Sequence, residues 1–429
     1  MIDAITTPVS LPVIALLGLM LLPLVLGLVI WSIRSHRDPS LSVDCDSPVS
    51  ELLPSLAGLS QGTVYEGNSV ELFENGAFFE MMFDEIARAR ASVHFETFLW
   101  KEGRLGARLV EALVERRRAG VEVRVMVDGN GGKKMGKDAK RRLREAGCRL
   151  VLHHPTKLRH IGVVNDRDHR KLVVIDGRVA LVGGHCIVDS WLGNAENREH
   201  VRDLAVRLRG PAVHGVQAAF SENWVEDTGE LFLGDAYFPP LERCGEVAAH
   251  VASVKAEGSP PAVKIVHHLA VCVAKRRIRI QNPYFLPDDE AIEALCKAAA
   301  RGVDVRVMVP STDASDMPIV QHAAHRNFHK LLEGGVRIFE YQTCLLHQKV
   351  MTVDGHWCAI GSSNFDDRSL ETNDEITLSL CDEVLARQLE AVFERDARQC
   401  VELDAERWSQ RGLWPKCRDN VLHVFNEVL

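Results

Sequence analysis

The order of apolar and polar positions along the chain changes period several times, and the changes recur. Residues 111–127 (EALVERRRAGVEVRVMV) place apolar side chains three and four apart, break at a glycine and then run apolar; residues 293–309 (EALCKAAARGVDVRVMV) do the same. Each reads as an amphipathic helix, a glycine stop and a buried strand. Another apolar strand precedes each copy, at residues 93–100 (VHFETFLW) and 278–286 (IRIQNPYFL). Alternating strands and helices predict an α/β sheet sandwiched by helices. Downstream, residues 169–183 (HRKLVVIDGRVALVG) and 347–361 (HQKVMTVDGHWCAIG) each set a D-G pair between apolar runs, at a constant offset in numbering. That dipeptide is a hairpin signal, because glycine accepts the positive φ of the turn. The expected fold is a duplicated one: two α/β/α halves related by a pseudo-two-fold axis, with one shared site on it.

The N-terminus breaks this pattern. Residues 11–33 (LPVIALLGLMLLPLVLGLVIWSI) carry no charge, a run long enough to cross a bilayer core of ~30 Å. No Lys or Arg precedes it and no small-x-small site follows it, so an anchor is expected rather than a cleaved leader. Asp3 lies before the run and Arg34 and Arg37 follow it, which by the positive-inside rule puts the rest of the chain in the cytoplasm. The expected location is the cell inner membrane, single-pass, with the catalytic body on the cytoplasmic side. The expected organisation is a tail over 1–10, a transmembrane helix over 11–33, a Ser-, Pro-, Asp- and Gly-rich linker over 34–66, and two halves over 67–232 and 233–429.

Composition narrows the partners. The hydrophobic content of 46% supports a full-sized core. Eleven scattered cysteines without a C-x-x-C pair argue against a disulfide framework or a zinc site and agree with a reducing compartment. A net charge of −8 disfavours nucleic acid as a partner. No metal and no cofactor are expected, and the oligomeric state is not legible.

Candidate chemistry sits in the hairpins. The pattern H-x-K-x-x-x-x-D occurs twice, as His169, Lys171, Asp176 and as His347, Lys349, Asp354. Residues two apart on a strand share a face, so each His and Lys point together while the following apolar run holds the strand rigid. Repetition in register supplies the specificity that one such motif lacks.

The double pattern resembles that of the phospholipase D superfamily, over nearly everything after residue 67. Residues 361–369 (GSSNFDDRS), with Asn373 and Glu375, resemble the segment that follows the family's second motif. Residues 282–288 (NPYFLPD), 315–320 (SDMPIV), and Arg202-Asp203 followed by residues 210–213 (GPAV) are similar to bacterial cardiolipin synthases. The resemblance implies membrane phospholipids as partners, phosphatidylglycerol and cardiolipin among them, with the bilayer itself. The implied reaction joins two phosphatidylglycerols and releases glycerol. A phospholipase D that hydrolyses phospholipid to phosphatidic acid, a nuclease, and a lipid-binding scaffold at the membrane stay open as alternatives.

Displacing an alcohol from a phosphodiester needs a nucleophile, an acid for the leaving group, and cations for the phosphoryl oxygens. Two His and two Lys supply that set: one imidazole attacks phosphorus, the other protonates the leaving oxygen, and the roles then reverse. The near-symmetric motifs leave the nucleophile open, and the resemblance favours His169 with His347 as acid/base. Asn364 and Ser362 are expected to help the lysines hold phosphate. Resemblance offers Glu375 to orient His347, and repeat symmetry offers Asp203 for His169. For Asp176 and Asp354, which sit in turns, a structural role is at least as well supported as a catalytic one.

One position departs from the family pattern, Cys186 standing where asparagine is expected and Asn364 stands in the second copy. A buried inert thiol is the favoured reading. Residues 131–138 (GGKKMGKD) approach a phosphate-binding loop, but Asp138 occupies the place of the Mg²⁺-binding hydroxyl, so a solvated basic loop is expected.

Overall fold

Short runs of Val, Ile and Leu make the strands, and those at the centre of each half are buried on both faces, as in Leu172–Ile175 and Val350–Val353. Such runs are what a sheet covered on both sides requires. The computed structural model describes residues 21–22, 41–155, 167–255 and 261–423. Its strands are β1 (Val64–Glu74), β2 (Ser92–Thr97), β3 (Glu122–Asp128), β4 (Arg149–His153), β5 (Leu172–Ile175), β6 (Val179–Gly183), β7 (Val201–Arg202) and β8 (Leu204–Arg209). The second series is β9 (Val247–Val254), β10 (Arg277–Gln281), β11 (Asp304–Pro310), β12 (Arg337–Tyr341), β13 (Leu345–Leu346), β14 (Val350–Val353), β15 (Trp357–Gly361), β16 (Glu375–Cys381) and β17 (Cys400–Glu402).

Fifteen of these form one sheet in the order β17-β12-β11-β10-β14-β15-β16-β9-β1-β8-β6-β5-β2-β3-β4. Read outward from the β9–β1 contact, both directions repeat the same sequence of strands, with β17 added at one edge. The registers repeat too: Val93 pairs Ile175 as Ile278 pairs Val353, and Leu172 pairs Val182 as Val350 pairs Ile360. The α/β class and the duplication are therefore direct properties of the backbone.

Helices Ala77–Arg88, Arg104–Arg118 and Lys137–Glu145 pack on one face of the first half, and Ala262–Val273, Asp289–Ala300 and Pro318–Glu333 on one face of the second. A third core lies between the halves, where Phe220 and Trp224 from helix Val213–Thr228 and Leu385, Leu389 and Val392 from helix Glu383–Ala397 meet strands of both. Residues 49–59, part of the segment read as a linker, fold into helical turns whose Val49, Leu53 and Leu56 join the second-half core.

Strands β2, β3 and β4 run parallel, as do β10, β11 and β12, and each triplet is flanked by its hairpin strand β5 or β14 running the other way. The carboxyl ends of the triplets and the starts of β5 and β14 thus share one edge of the sheet. Sites in α/β sheets form at such an edge.

The single-pass anchor and the location built on it are corrected here. Among the described residues no helix is long and apolar enough to cross a membrane. The longest, Val213–Thr228 and Pro318–Glu333, have 16 residues each, where a span needs about 20. Of residues 11–33 only Leu21 and Leu22 are described, as helical and exposed; the rest lie outside the described residues.

Candidate active site

His169 and Lys171 lie directly before β5, and His347 and Lys349 directly before β14, all four buried. Their backbone is held by the other half of the chain. The His169 N–H donates to the Asp374 carbonyl at 2.9 Å, and the His347 N–H donates to the Arg202 carbonyl at 2.8 Å. In one case the contact is a bridge between Asp168 and Asp374, in the other the two-stranded β7–β13 ladder. Each histidine therefore sits beside the residue that follows its partner, which is Glu375 or Asp203.

The imidazoles use those neighbours. His169 Nδ1 and Glu375 Oε1 are 2.8 Å apart, and His347 Nδ1 and Asp203 Oδ2 are 2.9 Å apart. This reverses the expected pairing of Glu375 with His347 and Asp203 with His169. Repeat symmetry equates Asp203 with Glu375 correctly, but the short cross-half strand pairs carry each carboxylate to the opposite histidine.

The two pairs differ electrostatically. Burial alone would raise Asp203, but His185, His347 and Lys349 hold it below the usual carboxylate range. Its oxygens also accept from the Trp191 indole N–H at 3.0 Å and the Leu204 N–H at 2.8 Å. Burial pushes the Glu375 carboxyl up to about 7 against the pull of Lys171, and Ser362 Oγ donates to its second oxygen. Ser362 in turn accepts the Ile376 N–H at 3.0 Å, so it serves the carboxylate rather than standing free for phosphate.

Burial and then Lys171 push His169 well below its ordinary value, and burial with Lys349 pushes His347 down to about 4. Both rings are neutral at pH 7. Lys171 donates to the His169 carbonyl at 2.6 Å with its ammonium 5.4 Å from the Phe98 ring centre. Lys349 donates to the His347 carbonyl at 2.8 Å, with His347 Nε2 at 2.9 Å from Nζ. Burial lowers Lys349 to about 7, Lys171 adding to the effect. Asn364 is buried with its Oδ1 unpartnered among the described residues. Cys186 is buried, with its thiol pushed up by burial although Lys171 and Lys349 oppose this.

Asp176 and Asp354 are elsewhere. Each occupies a left-handed turn position, with φ of 53° and 56°. The Asp176 carboxylate accepts the N–H groups of Arg90, Ala91 and Ser92, and Asp354 those of Lys275, Arg276 and Arg277. These carboxylates tie the hairpin turns to the starts of β2 and β10, at the opposite end of β5 and β14 from the histidines. Of the two roles that the sequence leaves open for Asp176 and Asp354, these contacts support the structural one.

Sequence reasoning missed several members of the site. The Phe98 ring lies edge-on to His169 at 5.1 Å and Trp191 edge-on to His347 at 5.2 Å; the apolar periodicity reads Phe98 only as part of a strand, and no sequence signal marks Trp191. Behind His169, His153 bridges Asp227 at 2.6 Å and Asp374 at 3.2 Å. Burial alone would lower His153, but the two carboxylates push it up to about 11. Its atoms, with those of His154, could geometrically hold a cation, but the two carboxylates already take both ring nitrogens of His153.

A family profile described as "Cardiolipin synthase, PLD-like domain" matches residues 82–224 and 271–397. The chain is 30% identical to a cardiolipin synthase of Staphylococcus aureus over 366 residues, covering 84% of this chain and 74% of that one. It is 31% identical to the major cardiolipin synthase ClsA of Bacillus subtilis over 368 residues, 85% of this chain and 76% of that one. Among solved structures, phosphatidylserine synthase of Haemophilus influenzae shares the fold with a TM-score of 0.65 at 14% identity, over 84% of this chain and 93% of that one.

Proposed function

This chain belongs to the cardiolipin synthase, phospholipase D-like family, and from that premise we propose that it joins two phosphatidylglycerols into cardiolipin and glycerol through a phosphatidyl-histidine. As a phosphatidyltransferase of that superfamily it needs a nucleophile, an acid and an anion cradle at one point. The observation that carries the reading is the pair of buried imidazoles, each with Nδ1 on a carboxylate of the other half and each beside its own lysine. We read the halves 67–232 and 233–429 as related by a pseudo-two-fold axis through this point.

In the first step the neutral His169 Nε2 attacks phosphorus, and the P–O bond to glycerol breaks. The proton for the departing oxygen comes from His347, which shares one with Lys349 across 2.9 Å. Lys171, Lys349 and the Asn364 side-chain N–H donate to the equatorial oxygens. In the second step His347 takes the proton of an incoming glycerol hydroxyl, whose oxygen attacks the phosphohistidine and frees His169. Asp203, held ionised, suits the acid/base histidine, which cycles through an imidazolium. Glu375, pushed up to about 7, suits a nucleophile that must stay neutral until it attacks.

Lipid mass spectrometry after supplying labelled phosphatidylglycerol tests this. The expected result is labelled cardiolipin with free glycerol, lowered on the order of 10⁴-fold or more in His169→Ala and in His347→Ala. Phosphatidic acid as the sole product would replace the synthase with a hydrolase.

A further inference from the structure

Two loops occupy equivalent places in the duplicated fold, each leaving a strand at the sheet edge that carries the site. One follows β3, over residues 129–136, and the other follows β11, over residues 311–317. The first is set against the segment that carries Phe98 to His169, because the Gly131 carbonyl accepts the Trp100 N–H at 3.3 Å. The second is tied in by the Tyr284 hydroxyl, which donates to Asp316 Oδ1 at 2.7 Å. Tyr284 stands two residues after Asn282, whose Oδ1 accepts the Phe365 N–H at 3.1 Å beside Asn364.

The chemistry of the two loops differs. Lys133, Lys134 and, at the start of the next helix, Lys137 are exposed, and among the described residues no carboxylate pairs with any of them. The nearby Asp138 is taken by Arg141. Three unpaired cations within five positions oppose the charge of a chain that is −8 overall. At the end of the second loop and the start of the helix that follows it, Met317 and Ile319 are 42% and 50% exposed although apolar.

We propose that these loops are a docking face for an anionic phospholipid surface, the lysines meeting headgroup phosphates while Met317 and Ile319 enter between the lipids. This rests on the phosphatidyltransferase reading and adds to it how the site finds its substrate. Lysines near such a surface supply attraction that salt weakens, whereas buried apolar side chains supply attraction that salt does not.

Vesicle flotation of the full chain, with phosphatidylcholine vesicles lacking or containing phosphatidylglycerol and at low and high salt, is the test. The wild type is expected to prefer the anionic vesicles at low salt. Lys133→Glu/Lys134→Glu/Lys137→Glu is expected to lose that preference by on the order of 100-fold. The milder Lys→Gln triple is expected to lose part of it. Met317→Asp/Ile319→Asp is expected to weaken binding to both vesicle types about tenfold or more. Each variant is expected to process short-chain, monomerically dissolved phosphatidylglycerol like the wild type, which also shows that it is folded. Wild-type preference in both lysine variants, or wild-type binding in the apolar variant, overturns the docking face. Failure of the wild type on the dissolved substrate would instead overturn the functional reading and leave the vesicle comparison intact.

Discussion

At the residue scale the two histidines have unequal surroundings, and the inequality is measurable. Asp203 is ionised and fixed by Trp191, the Leu204 N–H and His347, whereas Glu375 is raised by burial and shares its second oxygen with Ser362. Asp203→Asn removes the charge that stabilises an imidazolium and is expected to lower kcat by about 10²–10⁴ with KM little changed. Glu375→Gln, at a group whose proton is already half held near pH 7, is expected to cost less; equal losses in steady-state kinetics would sink this distinction. The shared proton on Lys349 and His347 sets a further expectation. Lys349 is protonated below about 7, so kcat/KM is expected to fall as pH rises through that value, and a flat profile there would remove Lys349 from the proton path. Asp176→Ala and Asp354→Ala each release three N–H groups far from the histidines. Each is expected to destabilise the fold by roughly 1–3 kcal/mol in urea titration while leaving the turnover of folded molecules near wild type.

At the scale of elements, the hairpins were legible and their partners were not. Two H-x-K starts, apolar runs and D-G turns specify β5–β6 and β14–β15, and the observed turns take the positive φ that this dipeptide permits. What the sequence hides is that β7 and β13 pair across the halves, and that residues 168 and 374 do likewise. These contacts involve one or two residues each, too short for any periodicity, yet they decide which carboxylate meets which histidine. Ser362 was misread for a related reason: its position in the motif is visible, but its bond to Glu375 exists only once β15 and β16 lie side by side. The His153 link is equally silent in sequence and supports the Asp374 end of this bridge. His153 is raised to about 11 in the fold, above the ~6.5 of an unfolded chain. Its contribution is therefore complete below about pH 6.5 and is lost as pH rises towards 11. His153→Gln is expected to cost roughly 3–5 kcal/mol near neutral pH, with the gap between variant and wild type closing as the pH of thermal melts is raised. A gap that stays constant would mean the histidine is held neutral.

At the scale of the molecule, duplication was readable because it repeats in residues, but the joining of the halves was not, since it uses ordinary strand faces. β1 lies between β8 of its own half and β9 of the other, so the sheet has no edge at the boundary. The third core is built by both halves as well. The crossed histidine–carboxylate pairs add a chemical reason for the halves to stay together, because neither half holds a complete dyad. A chain divided in the segment between Gly229 and Gly245 would give a first piece with His169 but no Glu375, and a second with His347 but no Asp203. Each piece would also expose one strand edge of the β1–β9 seam, a surface that invites pairing. Separately made pieces are expected to show no transfer from labelled phosphatidylglycerol. Made together they are expected to co-purify and to regain turnover, since the seam and both cross-half bridges can re-form between separate chains. Turnover by either piece alone would show that a histidine works without the carboxylate facing it across the seam, and would undo the argument from crossed pairing.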